Sequence, residues 1–256
     1  MSELLGIYSI WLREVKRYIR ERSRLVSSLI TPLLWLVIFG VGIGSGIGRF
    51  GASFSYYGYS YQTFIFPGII GQTLLFTAIW LGISLIWDRE FGFLKEILVA
   101  PISRTSIVLG KALGGATSAF LQGLLLLPFS FVMGVGLTPI SFLACISLMF
   151  LIAFGLVTIG LSLAARIESL EGFNLIMSFV VMPMFFLSGA LFPLDTLPHW
   201  LRMVTYLDPL TYGVDALRFI LLNKASVLPL YVDILVFLGF TVAIILIAAR
   251  EFNIKK

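Results

Sequence analysis

The chain has 256 residues, of which 59% are hydrophobic and 12% charged, with a formal net charge of +5 and a mean hydropathy of +1.03. That leaves too little polar surface to cover a soluble globule of this size, so the chain is expected to be solvated by lipid. A single cysteine, Cys145, excludes an intrachain disulfide and a thiolate metal cluster.

Residues 1–24 come first. Leu4, Tyr8, Trp11, Leu12, Val15 and Ile19 recur at helical spacing, and Arg13, Lys16, Arg17, Arg20 and Arg24 take much of the remaining surface. This pattern predicts a helix lying flat on the inner leaflet, either as a basic anchor on anionic lipid or also as a contact for a cytoplasmic partner. No cleavable leader is visible before Leu25, so the first span is expected to direct insertion.

Six apolar runs follow, at about Leu25 to Gly48, Phe64 to Trp87, Ala112 to Gly136, Phe142 to Ala165, Phe173 to Leu191 and Pro229 to Ala249. Each is near or above the roughly 20 residues that a helix needs to cross a bilayer. Fourteen of the 18 Lys and Arg fall in the N-terminal segment, the second and fourth connections and the tail. Basic residues are retained inside, so six crossings with both termini cytoplasmic are expected. The reading is a single all-α integral membrane domain: an interfacial helix (1–24), six spans (25–249) and a cytoplasmic tail (250–256).

The first run ends in Gly40, Gly42, Gly44, Gly46 and Gly48; Gly40, Gly44 and Gly48 suit close helix approach, and flexibility is an equal alternative. An outer aromatic group follows, Phe50, Phe54, Tyr56, Tyr57, Tyr59, Tyr61, Phe64 and Phe66. It reads as an interfacial belt, or else as a stacking surface for a ligand. In the second connection, Phe91, Leu94, Ile97 and Leu98 form an apolar face beside Lys95 and Glu96, and Pro101 stops the turn. That predicts a short amphipathic cytoplasmic helix, with Ser103 capping the next one.

Inside the runs, charge is scarce. Lys111 and Asp233 sit near span ends, where snorkelling is expected. The strongest uncharged polar groups are Gln72, Gln122 and Asn174, read as interhelical hydrogen bonds or as path-lining contacts. Gly110-Lys111 lacks the upstream glycine and the Ser/Thr of a phosphate-binding loop. No nucleophile constellation stands out, and His199 has no second ligand at metal-binding spacing. The chain is therefore not expected to be an enzyme by itself, and an external energy source is expected. The fifth connection is long and apolar but broken by Pro193, Pro198 and Pro209. Half-helices returning into the outer leaflet fit it, and a hairpin on the outer surface, with Asp195, His199, Arg202, Asp208, Asp215 and Arg218 in water, is the alternative.

The run from Trp87 to Arg104, WDREFGFLKEILVAPISR, resembles the hallmark segment of type-2 ABC exporter permeases of the daunorubicin-resistance and nodulation-export branch. The likeness extends to the N-terminal helix, to LSGALFPLDTLP (Leu187 to Pro198), and to the stretches Leu207 to Tyr212 and Asp215 to Arg218. It implies a coupling helix contacting a separate ATP-binding subunit through Glu90, Phe91, Phe93, Leu94, Glu96 and Leu98. It also implies a re-entrant outer gate at Pro193, Leu194, Leu197, Pro198 and Pro209, and a second permease subunit, expected as a homodimer. ATP and Mg would sit on the partner, with no cofactor on this chain and no nucleic acid involved. The resemblance implies export of an amphipathic, lipid or saccharide-type substrate across the cell membrane. An ATP-independent carrier or channel is the alternative.

Overall fold

The computed structural model describes residues 3–43, 58–93, 99, 101–167, 169–222 and 226–254. Among these the chain is helical, with no strand. α1 (Glu3–Arg20) leads into α2 (Arg22–Val37), which continues as a π turn, Ile38–Ile43. Then come α3 (Tyr61–Glu90), α4 (Arg104–Leu124), α5 (Pro139–Arg166) and α6 (Leu170–Leu187, with a π turn at Met177–Val181). The outer connection carries α7 (His199–Thr205) and α8 (Pro209–Leu221), and α9 (Leu230–Ile254) closes the chain.

Local chemistry sets the helix starts. Ser60, Ser103, Ser169 and Asp208 each accept a backbone N–H from the first turn of α3, α4, α6 and α8. Thr138 and Ser141 cap α5 reciprocally, with Pro139 at its first position. The α-helical part of the third apolar run stops at Leu124, short of the expected Gly136. Turns and a 3-10 segment, Leu127–Ser130, follow because Pro128 has no N–H with which to continue the ladder.

Among the described residues, five helices are long and apolar enough to cross a membrane: α3, α4 with its 3-10 extension, α5, α6 and α9. For the first expected crossing, the described part ends at Ile43. Its most apolar stretch, Leu29–Gly40, is shorter than a span. α3 is the hub. Its apolar window is 89% buried, against 17% for α6 and α9, so α3 is enclosed by the bundle while the latter two face outward. At 30 residues it is about 45 Å long, exceeding a hydrocarbon core of about 30 Å, so one end must leave the membrane.

α1 does not simply float beside the bundle. Gly6, Ile10, Glu14 and Tyr18 form a buried stripe against α4, and Trp11 Nε1 donates to Thr117 Oγ1 at 3.0 Å. A Cβ at Gly110 of α4 would stand 2.8 Å from Ile10 Cβ, so glycine permits this approach. Leu4, Tyr8 and Ile19, assigned to the apolar face from the sequence, remain exposed, and a second, narrower face holds the helix.

The expected aromatic belt is corrected at Tyr61, Phe64 and Phe66, while Tyr59 is half-buried. Tyr61, Phe64 and Phe66 are buried in the bundle, and Tyr61 donates its hydroxyl proton to Leu191 O. Phe50, Phe54, Tyr56 and Tyr57 lie outside the described residues, as do Gly44, Gly46 and Gly48.

Candidate functional site

Two adjacent stripes run along α3. Gln72, Phe76, Trp80, Ile83 and Trp87 follow a 4, 4, 3, 4 spacing, and Thr73, Thr77 and Ser84 run beside them. Both line a groove of about 590 Å³ whose opposite wall is α2, through Ser27, Thr31, Pro32 and Trp35, with Met182 of α6 and Gln122 of α4 completing it. Trp35 packs edge-on to Phe185 of α6, ring centroids 5.7 Å apart. Thr77 donates to Gln122 Oε1 at 2.5 Å. Gln72 is 3% exposed, and its Oε1 has no hydrogen-bond partner.

At the end of the groove nearest the basic N-terminal segment the chemistry becomes ionic. Lys111, 1% exposed, donates to Asp88 Oδ2 at 2.6 Å and to Glu14 Oε1 at 3.1 Å. Arg13 reaches Asp88 Oδ1 at 3.1 Å. Arg17, which also lines the groove, donates to Ser84 Oγ at 2.8 Å and Asp88 Oδ1 at 3.3 Å. α1, α3 and α4 are thus joined by one buried cluster. Expected snorkelling of Lys111 is corrected: two carboxylates from neighbouring helices satisfy it in place.

Both ends of the segment after α3 are pinned. Arg89 donates to Ile167 O at 2.8 Å and to Ala164 O and Ala165 O at 3.4 Å, bonding the last carbonyls of α5. Beyond the segment, Glu3 accepts from the Ser103 N–H and hydroxyl and from the Ser106 hydroxyl. These bonds, Ser106's foremost, hold the Glu3 carboxyl below its ordinary pKa. Between the pins, Glu90, Phe91, Phe93 and Val99 are exposed, and Arg13 lies over the Phe93 ring at 5.9 Å. Leu94, Glu96 and Leu98 lie outside the described residues.

At the opposite end, Gly189, at a φ of +71°, helps turn the chain back after α6. α7 exposes Trp200 and Met203, and Leu207 is exposed in the turn after it, whereas α8 packs against α3, α5 and α9. Val214 and Leu210 lie over Gly71 of α3, while Arg218 stacks on Phe64 with its guanidinium carbon 4.2 Å from the ring centroid. α8 therefore begins seven residues further along α3 than it ends, roughly 10 Å by helical rise. Asp208, Asp215 and Arg218 are buried, unlike in the watery hairpin considered from sequence. Arg218 donates to Gly189 O at 2.7 Å, and Asp215 accepts the N–H groups of Val227 and Leu228. Pro193, Leu194 and Pro209 are buried, Leu197 is half-buried and Pro198 exposed. Asp233, expected to snorkel, is 1% exposed with neither carboxylate oxygen hydrogen-bonded.

The ABC-2 type transporter family matches residues 6–222. The chain belongs to that family. It is 33% identical over 203 residues to the putative transport permease ycf38 of Cyanophora paradoxa, covering 78% of this chain and 69% of the relative. It is 29% identical over 246 residues to the inner membrane transport permease YadH of Escherichia coli (strain K12), covering 95% and 93%. It is 27% identical over 237 residues to nodulation protein J of Rhizobium leguminosarum bv. trifolii, covering 87% and 84%.

The protein is thus the transmembrane permease component of an ABC-2 type transporter, a family whose membrane component lacks the ATPase domain. Of the polar residues singled out from sequence, Gln72 and Gln122 stand in the permease's groove. Asn174 is exposed on α6 and is not among the groove's lining residues. The groove's hydroxyls and tryptophans were not singled out, although their helical spacing on one 30-residue apolar element was a readable signal. Nor were Glu14, Asp88 and Arg17 assigned together, because their contacts join residues up to 97 positions apart.

Proposed function

We propose that this permease is the path-forming subunit of an ATP-driven exporter in the cell membrane. It would cross six times with both termini cytoplasmic and act with a separate ATP-binding subunit and a second permease copy. The observation that carries this reading is the continuity from groove to ionic cluster to pinned segment. Arg17 borders the groove and bonds Asp88, and Asp88 stands three residues before the exposed Phe91.

Phe91, Phe93 and Val99 form a surface suited to a cytoplasmic partner, with Glu90, Leu94, Glu96 and Leu98 completing the proposed coupling contact. ATP and Mg would be held by that partner. Closure of its nucleotide sites would push on this segment. Because Arg89 and Glu3 anchor both ends, the push would reach α1, α3 and α4 as a rigid-body shift and reopen the groove outward. The connection containing Pro193, Leu194, Leu197, Pro198 and Pro209 would serve as the outer gate. In support, α8 starts deeper along α3 than it ends, the geometry of a half-helix rising towards the outer face. Substrates of amphipathic, lipid or saccharide type suit the groove's mixture of rings and hydroxyls.

Affinity purification from native membranes tests the reading. The wild-type permease should recover an ATP-binding polypeptide, and Phe93→Glu should insert normally but lose it. Recovery of the permease alone, or full retention of the partner by Phe93→Glu, would refute the coupling assignment.

A further inference from the structure

Asp233 stands in the first turn of α9, 1% exposed, with no hydrogen bond to either carboxylate oxygen. Its depth makes that costly. Gly213 of α8 packs on Ile152 of α5, and Gly155 of α5 packs on Phe237 and Thr241 of α9. Asp233 precedes Phe237 by one turn, roughly 6 Å. It therefore lies beside the middle of the 28-residue α5 and not at its mouth.

The surroundings supply carboxylates where a counter-charge would be needed. Asp208, the cap of α8, and Tyr212 and Asp215 are spaced four and three apart along one side of that helix. Tyr212 and Asp215 are within electrostatic reach of Asp233. The Tyr212 hydroxyl donates to Tyr206 O. Asp215 accepts the N–H groups of Val227 and Leu228, with Arg218 3.9 Å from its Oδ1. Arg218 itself is committed to Gly189 O and to the face of Phe64. α4 and α5 also pack against α9. Among the described residues, α5 has no charged side chain before Arg166, and its one other titratable group, Cys145, is buried beside Met149. α4 carries Arg104 at its inner start and Lys111, which is held in the ionic cluster.

An ionised Asp233 would thus be a buried charge with no donor from the protein and a second carboxylate beside it. The start of α9 favours an anion, but by much less than taking a carboxylate out of water costs. Ionisable groups at membrane depth are expensive, and they mark places where ions or protons are bound. A neutral carboxyl escapes the cost.

We propose that Asp233 is a proton-binding site that controls the join between α8 and α9. With its proton bound, it lets α9 lie against the acidic side of α8. When the proton leaves to water, the carboxylate repels Asp215, the residue that holds Val227 and Leu228 at the approach to α9. The join then loosens, and with it the outer connection that ends in α8. The packing is therefore firm while the proton is bound and weakens as pH rises. This needs neither an ATP-binding partner nor a substrate, so it stands or fails independently of the exporter reading.

The test uses the whole permease chain in nanodiscs. Infrared difference spectra between wild type and Asp233→Asn near neutral pH should show the C=O stretch of a protonated carboxyl, shifted in heavy water. In a Cys145→Ser background, spin labels at Phe219 of α8 and Tyr231 of α9 report the join. Their distance distribution should be narrow at about pH 6 and about twofold broader at about pH 9, where buried carboxyls of this kind ionise. Asp233→Asn, which copies the neutral form, should insert, fold and stay narrow at both. Asp233→Leu, which has no proton to lose, is a second variant expected to be equally indifferent to pH. An ionised-carboxylate band for Asp233 at neutral pH, the sign of a bound cation in the proton's place, would overturn the proposal. So would a wild-type distribution unchanged by pH, a pH response that survives in both variants, or failure of both variants to fold.

Discussion

Lys111 offers a quantitative test of the ionic cluster. Its ammonium, 1% exposed, is shared between Asp88 at 2.6 Å and Glu14 at 3.1 Å. Unit charges about 3 Å apart at an effective dielectric near 20 attract by roughly 5 kcal/mol, most of which burial takes back as desolvation. The intact cluster is therefore worth little net, while a broken one strands a charge. After Lys111→Met, Asp88 still has Arg13 at 3.1 Å and Arg17 at 3.3 Å, but Glu14 keeps only Arg13 at 4.0 Å. Lys111→Met is expected to destabilise the fold by about 3 to 5 kcal/mol. Adding Glu14→Gln should restore most of that, whereas adding Asp88→Asn should restore none. Reversible unfolding by SDS titration in bicelles, read as a double-mutant cycle, supplies the numbers. A loss below about 1 kcal/mol for Lys111→Met, or equal rescue by the two second substitutions, would refute the assignment of Glu14 as the stranded partner.

Gly110→Leu should lift α1 from α4, because the new side chain would collide with Ile10. In a Cys145→Ser background, disulfide cross-linking between cysteines placed at Trp11 and Thr117 should fall severalfold, and unchanged cross-linking would contradict that packing. Arg218→Lys keeps the charge but loses the planar stack on Phe64 and the fork aimed at Gly189 O. Its unfolding free energy should drop by about 1 to 3 kcal/mol in the same SDS titration, and a neutral result would discount the stack. Glu3 is the pH-sensitive contact. Its pKa is depressed by the Ser106 and Ser103 hydrogen bonds, so its contribution is present above the ordinary glutamate value of about 4.3 and is lost as pH falls through the lower, folded value. A spin label at Leu4 should become more mobile across that acidic interval, whereas Glu3→Gln should remove the pH dependence.

Much of the architecture is legible in composition because lipid enforces it. Long apolar runs have to be helices, and Ser103 marks a start that the structure keeps. Membership of the ABC-2 type family is also legible, in the contiguous Trp87 to Arg104 motif. Packing partners are less so. The N-terminal helix has two faces that could be buried, and hydrophobicity alone selects Leu4, Tyr8 and Ile19. The face held against α4 includes Gly6 and Glu14, chosen by close approach and charge pairing with residues far along the chain. Asp215 and Arg218 look like surface residues for the same reason: their partners, Val227, Leu228, Gly189 and Phe64, are visible only once α8 is folded against the bundle.

The groove lies between these cases. α3 is apolar nearly all round, so no amphipathic contrast marks one side of it, and its scattered polar residues read singly as interhelical glue. Taken at intervals of four, seven and four, however, Thr73, Thr77, Ser84 and Asp88 fall on one stripe, which begins on the groove wall and ends in the ionic cluster. Ser84 is where the two meet, accepting from Arg17 at 2.8 Å while lining the groove. A hub helix that is buried on nearly every side can transmit motion only as a rigid rod. A polar stripe along that rod keeps the groove wall, the buried charges and the segment beyond Asp88 in fixed register. Any displacement applied at Phe91 or Phe93 must then either move Gln72 and Thr77 with it or break bonds at Asp88, and the second alternative strands buried charge.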